Sequence, residues 1–378
     1  MHRSAAVAAA LAGLIVPAAA VAAPADPTHN GRGFVRSESK ISRTSVAGLN
    51  RHWAADIGAK GPGTALIGSD RVIVPGGPSS PGLAALDLET GKELWAWKAD
   101  VEDAGAPVRS QSRIVAAGAG SVTAVDTETG KPAWTRAVEG GGTTTIAAGF
   151  NRVFVSTDRS LTTFKAETGA VRWTEKIDAP QRMSVTYGWL FTTQDGLLAV
   201  RRPKDGEMRW KQGLQPGKTI PSAPSVSRHT VYVVAPDGAT GLQLLALDSR
   251  TGKGLWKAPA GDDVCASGEC RLAAPVADDE SVIVATPAGR VAALERTSGK
   301  ERWAMKVGVP IVGDPVVSAG RVAFVATTKG QLLALSTRTG EVLWKDDLGA
   351  EPEAGPVVGA GSVVVRTRDG RTATWALG

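Results

Sequence analysis

Cysteine is almost missing from this chain: 378 residues contain only Cys265 and Cys270, with Ala-Ser-Gly-Glu between them. No Cys-x-x-Cys-His stretch exists for covalent haem attachment, and two thiols at that separation without a histidine make a poor metal site. Histidine is scarce as well. His2, His29, His52 and His229 are scattered, and none adjoins a strained nucleophile, so nucleophilic catalysis has no support. The Gly-rich stretch 76–82 (GGPSSPG) lacks the lysine and following helix that phosphate cradling needs, and reads as a loop between strands. PDGAT at 236–240 does not have the spacing of a calcium loop. Lys+Arg number 43 and Asp+Glu 37, dispersed along the chain with no basic stripe interleaved with aromatics, which argues against a nucleic-acid partner. The acidic pairs Asp346-Asp347 and Asp278-Asp279-Glu280 read as solvated turn caps.

Long apolar runs are also absent, except at the start. Met1, His2 and Arg3 precede a small and apolar run from Ala5 to Ala23, with small residues at 20–22 and 21–23. This predicts a secretory signal peptide over residues 1–23. The same run, at about 20 residues, also suffices for an uncleaved membrane anchor, but cleavage would leave no stable membrane insertion. No cysteine lies near the cleavage region for lipidation. The expectation is a secreted or periplasmic, monomeric protein in a compartment where Cys265 and Cys270 form a disulfide. Residues 24–44 lack sustained periodicity and are expected to be a flexible leader, with a contact between Phe34-Val35-Arg36-Ser37 and the rest of the protein left open.

What is present in quantity is a repeat. ALDLETGKELW at 85–95 recurs as AVDTETGKPAW, TFKAETGAVRW, AVRRPKDGEMRW, ALDSRTGKGLW, ALERTSGKERW and ALSTRTGEVLW. Gly91, Gly130, Gly169, Gly206, Gly252, Gly299 and Gly340 each stand four residues before a tryptophan: Trp95, Trp134, Trp173, Trp210, Trp256, Trp303 and Trp344. Successive tryptophans are 39, 39, 37, 46, 47 and 41 residues apart. Each copy is preceded by two further alternating apolar runs with turn signals between, giving four short strands (A to D) per unit and no helical periodicity. A four-stranded antiparallel sheet at that period defines a β-propeller blade.

The ends set the blade count. Beyond Trp344 the chain supplies three strand-like runs without a fourth, and near the start LNRHWAADI at 49–57 has Trp53 without the preceding three. Pairing these halves closes an all-β, eight-bladed propeller over residues 45–378, sealed by an N-terminal strand, which removes the open sheet edge. Trp375 then belongs to a C strand and is not a ninth motif tryptophan.

The glycine supplies the positive φ of a tight C–D turn. The acid four residues earlier, Asp87, Asp126 or Asp248, can bond turn amides; Lys165, Arg201, Glu295 and Ser336 are assigned the corresponding place elsewhere. The tryptophan begins strand D, fills the wedge between blades and offers its N–H to a backbone acceptor. Trp97 and Trp189 fall outside the series and are candidates for surface contact.

This A-L-D-x-x-T-G-x-x-x-W repeat resembles the pyrroloquinoline-quinone-type propeller family, shared by quinoprotein dehydrogenases and BamB-like scaffold proteins. The resemblance covers about residues 49–377 and implies an eight-bladed ring. The dehydrogenases carry a disulfide of adjacent cysteines, a calcium and a catalytic Asp. Cys265 and Cys270 are not adjacent, and no residues here match that ligand set, so no catalytic residue, cofactor or metal is assigned. The scaffold branch, binding a protein or cell-envelope component, is the expectation, with a quinoprotein-type dehydrogenase or small-molecule-binding propeller as the alternative. The longest departure from a minimal blade, residues 257–275, holds both cysteines with Asp262, Asp263 and Glu269, and is the candidate recognition loop.

Overall fold

In the computed structural model, residues 33–57, 63–76, 82–98, 106–118, 120–140, 144–178, 181–194, 196–214, 222–237, 241–262, 273–286 and 288–378 are described. Alternation of apolar residues and glycine-bearing turns folds them into eight sheets of four antiparallel strands, each in the order A-B-C-D. Blade 1 consists of Leu66–Ile67, Arg71–Pro75, Leu83–Asp87 and Glu93–Trp97. Blades 2, 3, 4 and 6 follow the same plan over 108–137, 145–176, 182–213 and 276–306, blade 5 over 225–262 and blade 7 over 311–347. Blade 8 takes Val357–Gly359, Ser362–Arg366 and Arg371–Leu377 from the C-terminal region and Leu49–Asp56 as its strand D. Among the described residues there is no α-helix, and no helix long and apolar enough to cross a membrane.

The A strands of successive blades from 2 to 8, and of blades 8 and 1, touch one another, so strand A lies at the narrow centre of the ring and strand D at its rim. Burial agrees. B and C strands such as Arg71–Pro75 and Val322–Thr327 are buried throughout, because both sheet faces pack on a neighbouring blade. D strands such as Val171–Lys176 and Glu301–Lys306 alternate between exposed and half-buried, and those of blades 1 and 2 bury only their tryptophan. Antiparallel order puts the A–B and C–D turns on one end of the ring, called here the turn face.

Strand D of blades 1 to 7 begins two residues before its tryptophan, not at it. In all eight blades the C–D register slips by one residue immediately before the tryptophan. This bulge tilts the indole toward the next blade. The residue opposite is small in most blades: Ala85, Ala124, Ala246, Ala293 and Ala334.

Three expectations need amending. Residues 257–262 are not loop: they continue strand D of blade 5, Gly254–Asp262, because the B–C hairpin of that blade is long enough to pair Gly241 with Asp262. The turn-capping position of blade 4 is Arg202, not Arg201, since Arg202 makes the backbone bonds to Gly206 and Glu207 that Asp87 makes to Gly91 and Lys92. Arg201 is buried and clamps Glu175 with two nitrogens, each at 2.8 Å.

The third concerns the leader. From Gly33 onward it is held against the ring. Gly33–Val35 adds a parallel fifth strand to the inner edge of blade 7, pairing with Val316, Val317 and Ser318. Ile41 is fully buried in the core shared by blades 7 and 8. Glu38, 2 % exposed, accepts the amide of Ile41 at 3.0 Å and that of Gly361 in blade 8 at 2.6 Å.

Candidate functional site

The motif residues meet between blades. Each tryptophan donates its indole N–H to a carbonyl of the following blade: Trp53 to Leu88, Trp95 to Thr127, Trp134 to Ala166, and Trp173 to Pro203. Trp210 reaches Ser249, Trp256 reaches Arg296 and Trp303 reaches Thr337, all at 3.0–3.2 Å. The same indole lies flat against the next blade's turn glycine. A Cβ on Gly91 would come within 2.7 Å of Trp53, and one on Gly130 within 2.4 Å of Trp95. Gly169, Gly206, Gly252, Gly299 and Gly340 face Trp134, Trp173, Trp210, Trp256 and Trp303 in turn, all at positive φ. Glycine is therefore required twice over, by the turn and by the ring resting on it. At the closure Trp344 donates to Leu49 O at 3.1 Å.

The motif acids cap their own turns. Asp87 Oδ1 accepts the Thr90 hydroxyl and amide, both at 2.7 Å, which hold its carboxyl below the usual carboxylate value. Asp248 is held down in the same way, first by the Thr251 hydroxyl. Asp126 accepts the Glu128 and Thr129 amides. Bonded into turns and ionised, these groups are not placed to act as general acids.

Asp346, read from sequence as a solvated cap, instead sits in the closing seam. Its Oδ2 accepts the Trp375 indole at 2.6 Å and Arg51 at 3.1 Å. Burial raises this carboxyl, but the Trp375, Asp347 and Arg51 donors outweigh it and leave the group below its ordinary value. Trp375 is fully buried, edge-on to Trp344 and covered by Arg51. On the other side of blade 8, Arg366 is buried, reaches Gly63 O at 2.8 Å and is lowered by burial to about 10, so it stays charged at neutral pH.

Trp97 and Trp189 are both half-buried. Trp97 packs on the core between blades 1 and 2, and Trp189 on that between blades 4 and 5, with the Arg209 guanidinium 4.2 Å above its ring. His229 is exposed in the A–B turn of blade 5 and His52 is the bulge residue beside Trp53. Asp262 ends strand D of blade 5; Asp263, Cys265, Glu269 and Cys270 lie outside the described residues.

An open depression of about 450 Å³ on blades 6 and 7 is lined by Glu280, Glu295, Glu301, Lys300, Arg302 and Arg338. Its charges largely satisfy one another: Arg302 and Arg321 pair with Glu280, and Arg290 with Glu301. Among the described residues no three of His, Cys, Asp and Glu gather as a metal would require. The donors present there, mostly engaged in ion pairs, do not compose a calcium and quinone site.

Sequence reasoning had no means to find Glu38, Phe150 or Tyr187. Phe150 and Tyr187 sit at the tips of the A–B turns of blades 3 and 4, exposed, in left-handed backbone conformations.

A ring of eight W-motif blades joined by tryptophan on glycine and sealed by an N-terminal strand defines the class: a propeller of the pyrroloquinoline-quinone repeat type. Within that class, the family model described as "Outer membrane protein assembly factor BamB" matches residues 82–186, 180–310 and 288–377, and the chain belongs to this family. A curated relative of that name from Bordetella pertussis is 30% identical over 114 residues. That match spans 30% of this chain and 26% of the relative's length. Among solved structures, BamB from Moraxella catarrhalis aligns over 87% of this chain and 97% of its own, with a TM-score of 0.68 and 18% identity. A quinohemoprotein alcohol dehydrogenase from Comamonas testosteroni aligns over 94% and 81%, with a TM-score of 0.71 and 14% identity. At those identities the two structures share the fold with this chain and nothing finer.

Proposed function

We propose that this protein is an exported, non-catalytic propeller that binds a protein or a cell-envelope component through a face of its ring. The observation that carries the reading is the use made of the repeated residues. Every motif tryptophan and glycine is occupied in a joint between blades, and the motif acids in their own turns. What remains for function is the surface of a rigid ring, and family membership points the same way, since the Bordetella relative is named as an assembly factor. Export rests on residues 1–23 and stabilisation of the 257–275 segment on a Cys265–Cys270 disulfide; both belong to this proposal.

Affinity capture from the native envelope, read by mass spectrometry, is expected to return a stoichiometric partner. Titration of the purified protein with pyrroloquinoline quinone and calcium is expected to give no saturable absorbance change. Saturable quinone binding with dye reduction on alcohols or sugars would replace the scaffold reading with the dehydrogenase one.

A further inference from the structure

The mouth of the ring on the turn face is divided unequally. Residues 36–45 cover the A–B turns of blades 6, 7 and 8: Arg36 pairs with Asp279, Ser42 bridges to Gly320, and Glu38 accepts from Gly361. The A–B turns of blades 2 to 5 stay open. They present Phe150, Asn151, Tyr187 and the half-buried Arg109 and Arg152, whereas Arg113 is paired with Asp126 and Glu167, and Arg228 with Asp279.

Two of these residues have no explanation in the fold. Aromatics make up only 5% of the chain, with six phenylalanines and two tyrosines. Phe154, Phe164, Phe191, Phe324 and Tyr232 are buried, whereas Phe150 and Tyr187 are 44% and 49% exposed. Both occupy the first central position of a two-residue turn in which both φ angles are positive: Phe150 53° with Asn151 57°, and Tyr187 48° with Gly188 82°. Such turns favour glycine or asparagine there, and a bulky residue strains them. Blade 8 makes its equivalent turn with Ala360 and Gly361. Equivalent positions on adjacent blades thus carry aromatic rings against the preference of the turn.

We propose that this crescent binds an anionic polysaccharide. Sugar rings stack their C–H faces on exposed aromatic rings, and guanidinium groups take carboxylates with paired hydrogen bonds. Equivalent rings one blade apart suit a ligand that repeats, and Arg109 and Arg152, bonded to the Gln111 and Phe150 carbonyls rather than to carboxylates, suit one that is negatively charged. A folded protein partner fits less well. The other large exposed apolar side chains are not aromatic: Leu94, Val171, Met208, Leu255 and Val342 lie on D strands at the outer rim, and Leu197 starts strand C of blade 4 at the opposite end of the ring, so no continuous apolar surface joins the two rings.

The inference rests on the reading of a ring face that takes up cell-envelope material, and its test is separable from that reading. Polygalacturonate is titrated into the full protein, with dextran, poly-glutamate and a single-stranded oligonucleotide as comparisons, while labelled-tyrosine NMR follows Tyr187 against buried Tyr232. The expected result is saturable polygalacturonate binding that moves only the Tyr187 resonance, with dextran at least ten-fold weaker. The double variant Phe150→Gly, Tyr187→Gly relieves both turns, so it is expected to keep or raise Tm while losing at least ten-fold in polygalacturonate affinity. No saturable binding, or equal binding by the double variant, overturns the proposal. Preference for poly-glutamate or the oligonucleotide, lost in the double variant, reassigns the crescent to an acidic peptide or a nucleic acid. A protein captured equally by wild type and double variant leaves the scaffold reading standing whichever way this test falls.

Discussion

Trp344 rests its indole N–H on the carbonyl of Leu49, 295 residues away in sequence. The joint into blade 8 therefore keeps the indole-to-carbonyl bond of the other joints but not their glycine, with the first residue of the N-terminal strand standing where a turn carbonyl stands elsewhere.

If the closing joint is ordinary, its energetics should be ordinary too. Trp344→Phe and Trp134→Phe each keep an aromatic wedge but remove the donor to Leu49 or Ala166. Each is expected to cost about 1–3 kcal/mol, the penalty of leaving a buried carbonyl unpaired. Urea unfolding compares them directly, and a loss several-fold larger for Trp344→Phe would show that the seam is a distinct weak point.

Gly130→Ala should separate turn strain from steric conflict. Alanine in a left-handed position costs about 1–2 kcal/mol, and overpacking against the Trp95 ring adds about 1–3 kcal/mol. Gly308 has φ 83° but nothing within 4 Å of a Cβ, so Gly308→Ala should show the first cost alone. Equal losses would mean that the indole moves aside freely.

Opposite Trp173 and Trp53 stand Thr163 and Thr374, fully buried, whose hydroxyls have no hydrogen-bond partner among the described residues. Most blades use alanine there. Thr163→Val and Thr374→Val conserve shape and are expected to be neutral or stabilising by up to about 1 kcal/mol. A clear loss in Tm would reveal a partner for the hydroxyl.

Asp346 should give the seam an acid sensitivity. Its folded pKa lies below the ordinary carboxylate value, so its contribution is complete above the unfolded pKa of about 3.9 and disappears as pH falls through the folded value. Asp346→Asn is expected to melt lower than wild type at pH 7, with the gap narrowing as pH drops below about 4. A gap that stays constant to pH 2.5 would remove Asp346 from the acid response.

Glu38→Gln replaces an acceptor-only group with one whose NH2 must face either the Ile41 or the Gly361 amide, leaving an acceptor for only one of them. The expected loss is about 1.5–3 kcal/mol, the range for a hydrogen bond to a charged group. Amide exchange at Gly361 should accelerate. Unchanged protection there would mean that the strap formed by residues 33–45 does not depend on this carboxylate.

The ring was legible in the sequence because its joints are local and repeated: a glycine and a tryptophan at fixed separation mark each one, and Trp53 without its three strands announced the closure. The strap was not legible. Glu38 acts through backbone amides, one of them 323 residues distant, which leaves no pattern in its neighbours. Arg201 reads as a turn residue only when the blade 4 copy is started at Ala199; Val200 pairs with Trp210 as Ala85 pairs with Trp95, which puts Arg202 at the turn, where its backbone bonds lie. Phe150 and Tyr187 hid inside strand-like runs, since an aromatic at a positive φ looks like any other strand residue until the turn is seen.

In blade 8 the step from strand C to strand D is made without a peptide turn, through the pairing of Leu377 with Leu49. Where the covalent chain is interrupted is thus a matter of gene order rather than of mechanics. A circular permutant that links these two positions and opens after Leu214, between blades 4 and 5, would keep every motif tryptophan and turn glycine in place. It would lose what the present termini add, the strap across blades 7 and 8, so its stability relative to the parent would report on that strap.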